Sequence, residues 1–80
     1  MQVHPLVGKV IMDIRSKKMI PRSELAKAAG ISESWLYKCE MLGSVPKDRI
    51  VERVAGSLET TMRKLNNAAV RLEKKGQKAD

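Results

Sequence analysis

The sequence predicts an all-α fold of about five helices. Apolar residues recur at helical spacing, Pro and Gly divide the chain into short segments, and no useful stretch alternates between apolar and polar residues as a strand would. At 80 residues the chain is expected to form one domain with a small core. Because it has no Phe, one Trp and one Tyr, that core should be aliphatic.

Pro5 suits the first turn of a helix, where its missing N–H costs nothing. Apolar residues then recur at helical spacing, so we expect the first helix to run to about Lys18. Two lysines at its end match the negative pole of the helix dipole. The apolar residues of this helix are Leu6, Val10, Ile11 and Ile14.

Pro21 opens the second helix, predicted over about 21–29, and Gly30 ends it because glycine tolerates a left-handed backbone. Ser32 follows two residues later and can cap the next helix by accepting from an exposed amide. The sequence therefore predicts two helices joined by a short turn. Leu25, Ala28 and Ala29 are expected on the buried side of the second helix, and Ala26 where two helices cross closely.

The third helix, predicted over about 32–42, has two different faces. Its inward side should anchor the helix in the core, whereas its outward side mixes a hydroxyl, a phenol, an ammonium and a thioether. An ordinary surface helix would carry more Glu/Lys pairs and fewer of these contact-forming groups. The inward residues are Leu36, Cys39 and Glu40, and the outward ones are Ser34, Tyr37, Lys38 and Met41.

Residues 10–58 resemble the phage repressor and Cro type of helix-turn-helix protein, also called the xenobiotic-response-element family. The resemblance implies a compact five-helix, lambda-repressor-like fold with an extended C-terminal helix, in which residues 1–58 form the helix-turn-helix DNA-binding domain. It also implies sequence-specific binding of double-stranded DNA, with 32–42 as the recognition helix in the major groove. The matching residues, which also keep the family's spacing, are Arg15, Ile20, Glu24-Leu25-Ala26, Gly30-Ile31-Ser32, Leu36, Glu40, Pro46, Ala55 and Leu58.

By the same resemblance, Glu33, Ser34 and Lys38 occupy the positions that read bases. Glu33 can accept from cytosine N4, Lys38 can donate to guanine O6 or N7, and Ser34 can pair with several bases. Trp35 and Tyr37 are also expected at the base-reading surface, where they can stack on sugar or touch a thymine methyl. The alternative for Trp35 is packing beside the second helix.

Arg22 stands where the family often has a Gln that contacts the DNA backbone, which implies a phosphate contact. The alternative is a solvated cation. Gly43 lies one residue later than the family's glycine after the recognition helix, so the loop from Gly43 to Pro46 is expected to be shifted. The other expected backbone contacts are Ser32, Ser44, Lys47 and Arg49.

Arg15 and Glu40 match a pair that in this family forms a partly buried salt bridge between the first and third helices. Their role is therefore expected to be structural. Cys39 stands where an aliphatic residue is usual, and we interpret it as a small buried hydrophobe rather than a redox switch.

The segment 59–75 is predicted to be a C-terminal helix with an apolar seam at heptad spacing. About two heptads are too few for an isolated coiled coil, so the seam either completes a homodimer interface, which we favour, or packs within the chain. Residues 76–80 have no apolar period and are expected to fray. The seam residues are Leu58, Met62, Leu65, Ala69 and Leu72.

The composition limits the other classes of function. Sixteen basic and nine acidic side chains leave a formal charge of +7, which favours a polyanionic partner. One cysteine and one histidine, His4, cannot supply a four-ligand zinc site, and no motif suggests catalysis, a metal or a cofactor. No apolar run is long enough to span a membrane and no signal peptide is apparent, so we expect no membrane partner and a cytoplasmic location in a bacterial cell or phage-infected host.

The leading hypothesis is a phage or bacterial repressor, not an enzyme, that binds an inverted-repeat operator as a homodimer. Two alternatives remain open. The chain could be the antitoxin of a toxin–antitoxin pair, with a small protein partner, or a protein-binding adaptor without DNA specificity.

Overall fold

The chain folds into five consecutive helices: α1 (Val7–Lys17), α2 (Arg22–Ala29), α3 (Glu33–Met41), α4 (Asp48–Ser57) and α5 (Met62–Gln77). The structure, a computed structural model, describes residues 3–77, and this range contains no strand. The predicted all-α class is confirmed. Each predicted helix boundary in the first three helices lies within two residues of the observed one.

The helices enclose one small core. α1 packs against α3 and α5, α2 packs against α3 and α4, and α4 also packs against α5. The chain is compact, with a radius of gyration of 11.8 Å. The apolar core is aliphatic because no aromatic side chain is buried in it, and its most enclosed residues are Val7, Ile11, Leu25, Leu36, Val51, Val54, Leu58 and Leu65.

Gly8 allows α1 and α3 to approach at backbone distance. A Cβ atom placed on Gly8 would lie 1.9 Å from the carbonyl oxygen of Cys39, closer than any real contact. Glycine is therefore required here for close packing, not for its backbone angles. The same two helices carry Arg15 and Glu40, so this crossing also positions the buried ion pair.

The turn between α2 and α3 follows the sequence prediction. Gly30 adopts a left-handed backbone with φ of 70°, and the next amide, of Ile31, donates to the carbonyl of Ala26 at 2.9 Å. Ser32 then caps α3, its Oγ accepting from the amide of Trp35 at 3.0 Å. The carbonyls at the end of α2 and an amide at the start of α3 are thereby satisfied.

Two other helix connections place side-chain-bearing residues in the left-handed region. Met19, after α1, has φ of 57°, and Glu59, after α4, has φ of 59°. Each is followed by a backbone hydrogen bond that closes the helix end, from Ile20 to Arg15 at 3.0 Å and from Thr60 to Ala55 at 2.8 Å. Both positions would suit glycine better, and the sequence carries no signal for either.

One local expectation was wrong. Ala28 is exposed, whereas Ala26 is buried, because α2 contacts both α3 and α4 and buries adjacent residues on two sides. The helix α5 extends to Gln77, two residues beyond the predicted end at 75. The rest of the expected frayed tail, 78–80, lies outside the described residues.

The seam of α5 packs within the chain. Leu58, Leu65 and Ala69 are at most 1% exposed, and Met62 is partly buried against the same core. Only Leu72, at 39% exposure, presents substantial surface. The assignment of the whole seam to a dimer interface is therefore corrected: a core this small needs the apolar side of α5 to close over α1 and α4.

Candidate nucleic-acid interface

One side of α3 faces solvent and carries polar side chains. Glu33, Ser34, Tyr37 and Lys38 are exposed, as the helical period predicts. The opposite side, Leu36, Cys39 and Glu40, is buried. The buried residues anchor α3 in the core, so the backbone that carries its exposed polar side chains is held in place.

The exposed side of α3 forms an open groove with the start of α2. Its volume is about 460 Å³, and it brings an acidic, two hydroxyl-bearing and two basic side chains together at one surface. Such a mixture of donors and acceptors can hydrogen bond the edges of bases, which present both. The lining residues are Arg22, Glu33, Ser34, Tyr37, Lys38 and Leu42.

Glu40 lies beneath this surface and binds two arginines. Arg15 donates from Nε to Oε2 at 2.9 Å and from Nη2 to Oε1 at 3.0 Å. Arg22 donates from Nε to Oε1 at 2.9 Å. The remaining Arg15 donor, Nη1, binds the carbonyl of Ile20 at 2.9 Å. The Arg15–Glu40 contact is the one that the resemblance implied, while the contact from Arg22 was missed.

Arg22 has a second partner that sequence reasoning also missed. Its guanidinium carbon lies 5.0 Å from the centroid of the Tyr37 ring, within the range of a cation–π contact. Tyr37 and Glu40 are three residues apart on α3 and so lie on neighbouring positions of one helical surface. That spacing was a usable signal, but it does not say which side chain of another helix reaches it.

The other residues expected to contact DNA do not line this groove. Trp35 is partly buried and does not line it. Ser44, Lys47 and Arg49 are exposed on the loop after α3 and at the start of α4, also outside its lining. Gly43 takes a left-handed backbone with φ of 74°, and the Ser44 amide donates to the Lys38 carbonyl at 3.2 Å.

Cys39 is buried directly behind the exposed side of α3. Burial, and secondarily the negative charge of Glu40, raise the pKa of its thiol to about 11. The thiol is therefore neutral and enclosed at physiological pH, which are the properties of a packing residue rather than a reactive one.

His4, to which the sequence assigned no partner, joins the N-terminal segment to α5. Its Nδ1 accepts from the amide of Leu6 at 3.0 Å, and its Nε2 lies 3.4 Å from Oε2 of Glu73. Across the part of the chain that the structure describes, no three metal-binding side chains cluster. No helix in that part is long and apolar enough to cross a membrane.

Comparisons with protein-family models, curated proteins and solved structures found no match.

Proposed function

We propose that this chain is a sequence-specific DNA-binding regulator of the helix-turn-helix class, and that it inserts α3 into the major groove. The observation that carries the proposal is the solvent-facing groove in which Glu33, Ser34 and Lys38 of α3 meet Arg22 of α2. An α-helix fits the major groove of B-DNA, and side chains near its start reach base edges.

The chemistry of the groove supports a division of roles. The Lys38 ammonium can donate to guanine O6 or N7, the Glu33 carboxylate can accept from cytosine N4, and the Ser34 hydroxyl can do either. Trp35 and Tyr37 were also expected among the base readers; Trp35 does not line the groove, and Tyr37 lines it but lies against Arg22, so our proposal rests on the other three.

The surplus of basic side chains supports binding to the DNA backbone. A formal charge of +7 draws the chain to phosphates and provides a salt-dependent part of the affinity. We assign backbone contacts to Ser32, Ser44, Lys47 and Arg49, which are all exposed on α3, α4 or the loops beside them. These contacts would orient α3 without reading sequence.

A regulator of this size reads a longer site by pairing, so we propose a homodimer on an inverted-repeat operator. Because Leu58, Leu65 and Ala69 are enclosed by their own chain, two copies have to meet through other side chains. Large apolar side chains that remain exposed and do not line the groove include Val45, Val70 and Leu72, of which Val45 and Val70 line one surface pocket. Pairing would remove these from water.

Selection of bound duplexes from a random DNA pool tests the proposal. We expect enrichment of a motif with two inverted halves spaced by about one helical turn, since this follows from a two-fold symmetric reader. A single half-motif would retain DNA reading but reject the dimer. A selected pool no more enriched than unselected DNA would reject sequence-specific binding.

A further inference from the structure

Arg22 adds a positive charge beside a carboxylate that is already neutralised. Arg15 binds both oxygens of Glu40, at 2.9 and 3.0 Å, and so supplies a complete two-point ion pair. Arg22 then approaches Oε1 as a second cation. The three side chains together carry one net positive charge, and Arg22, with its side chain 25% exposed, is the member that lines the groove.

Two contacts restrict the orientation of the Arg22 guanidinium. Its Nε is hydrogen bonded to Glu40 at 2.9 Å, and its Cζ lies over the Tyr37 ring, 5.0 Å from the ring centroid. Among residues 3–75, no side chain or carbonyl accepts a hydrogen bond from its two Nη groups. These are the donors that form a fork able to bind two oxygens of one phosphate.

We propose that Tyr37 is a positioning residue, not a base reader, and that it holds the guanidinium of Arg22 preorganised for the phosphate contact that the resemblance implies. This inference rests on the proposed function and deepens it. Arginine otherwise loses side-chain freedom when it binds, and a side chain that is already held avoids part of that cost. The same Glu40 carboxylate thereby joins the folded core to the DNA surface.

Two substitutions at Tyr37 separate positioning from base reading. Tyr37→Phe keeps the ring and removes the hydroxyl, so affinity for selected and random duplexes should remain within about twofold of the wild type if the ring positions Arg22. Tyr37→Leu removes the ring and should weaken binding to both duplexes by the same factor. If Tyr37→Phe instead weakens the selected duplex alone, Tyr37 reads a base and the inference is wrong.

Substitutions at Arg22 test the phosphate contact itself. Loss of charge-assisted hydrogen bonds in Arg22→Ala should weaken binding to random duplex about tenfold or more, and should reduce the slope of log affinity against log salt by about one. Arg22→Lys keeps the charge but not the planar fork and should recover the slope with only part of the affinity. Lys27→Ala removes an exposed cation of α2 that does not line the groove and is the matched control.

A direct readout comes from the Arg22 Nε–Hε resonance and the Tyr37 ring resonances by NMR on addition of random duplex DNA. Both should shift together and saturably, and in Tyr37→Leu the Arg22 resonance should shift less. Equal effects of Arg22→Ala and Lys27→Ala would overturn the inference even if a specific DNA motif is selected. Absence of a selected motif, with the Arg22 effects retained on random duplex, would instead reject sequence specificity and leave the phosphate contact in place.

Discussion

Arg15 of α1 and Glu40 of α3 form a two-point ion pair in which the Glu40 side chain is completely enclosed. A carboxylate in such a position is tolerated only when its oxygens are fully hydrogen bonded, and here both accept from arginine. Arg15 also donates to the carbonyl of Ile20 at 2.9 Å, at the connection from α1 to α2. One guanidinium therefore links three parts of the chain.

Removal of either partner of this ion pair should strongly destabilise the fold. Glu40→Ala leaves two arginines without their carboxylate, and Arg15→Ala leaves Oε2 of Glu40 without a donor although Arg22 still binds Oε1, so we expect a cost of about 3 kcal/mol or more. For a domain of this size the thermal midpoint should fall by about 12 °C or more, measurable by circular dichroism. Lys17→Ala is the control, since its 3.1 Å pair with Asp13 is largely exposed and should contribute less than about 1 kcal/mol. An unchanged midpoint in Glu40→Ala would contradict this account.

The crossing of α1 and α3 should not tolerate a side chain at Gly8. Gly8→Ala would place Cβ against the Cys39 carbonyl, so the helices must separate, at a cost of about 2 kcal/mol in unfolding free energy. Gly56→Ala is the matched control because nothing lies within 4 Å of its added Cβ in α4. The control should be neutral or stabilising by up to about 1 kcal/mol, since Ala favours helix over Gly. Urea denaturation measures the unfolding free energy of both variants. Equal values would show that the crossing of α1 and α3 accommodates a Cβ atom at residue 8.

Met19→Gly should stabilise the protein. Its left-handed backbone costs a side-chain-bearing residue about 1 kcal/mol, whereas the added freedom of glycine in the unfolded chain costs about 0.5 kcal/mol, leaving a gain of about 0.5 kcal/mol. Lys18→Gly, one residue earlier with φ of −85°, has no such strain to relieve and should lose about 0.5 to 1 kcal/mol. Chemical denaturation of both variants measures the difference, and a destabilised Met19→Gly would refute the strain.

Cys39 should make stability fall at alkaline pH. Its thiol has an ordinary pKa of 9.0 and a folded pKa of about 11, so between these values the unfolded chain releases a proton that the folded chain keeps. The stabilising contribution is complete below pH 9 and is lost as pH rises towards 11. The thermal midpoint of the wild type should therefore drop more between pH 8.5 and 10.5 than that of Cys39→Ala, which shares every other titrating group. If the thermal midpoints of the wild type and Cys39→Ala fall equally with pH, the buried, protonated thiol is not the cause of the alkaline loss of stability.

Lys38→Ala should lower specificity as well as affinity. If Lys38 donates to a guanine, binding to the selected duplex should weaken by about 1 to 3 kcal/mol while binding to random duplex changes far less. Fluorescence anisotropy at fixed salt measures both. Equal losses on the two duplexes would place Lys38 on a phosphate.

Features with a local physical cause were predictable from the sequence. Helical periodicity alone indicated that Leu36, Cys39 and Glu40 face inward while Tyr37 and Lys38 face outward. The turn at Gly30 was predictable because glycine tolerates the left-handed backbone and a serine two residues later can cap a helix. The Arg15–Glu40 contact was implied by resemblance rather than by any local pattern, and the atomic distances are consistent with it.

Features that depend on which surfaces meet were not predictable in this way. The seam of Leu65 and Ala69 showed that one side of α5 is apolar, but an apolar period is the same whether a second copy or the chain itself covers it. The contacts of Arg22 were missed for a related reason, because Glu40 and Tyr37 belong to another helix. Gly8 gave no signal, since its role appears only where α3 passes beside it.

The sequence by itself therefore determined the helices, most of their boundaries and which side of α3 is polar, because hydrogen bonding, backbone preference and periodicity act between near neighbours in the chain. Only the tertiary structure decided that α5 closes the core, that α1 and α3 touch at Gly8, and that Arg22 lies between Glu40 and Tyr37. Those outcomes depend on how whole surfaces exclude water and pair charges across distant residues.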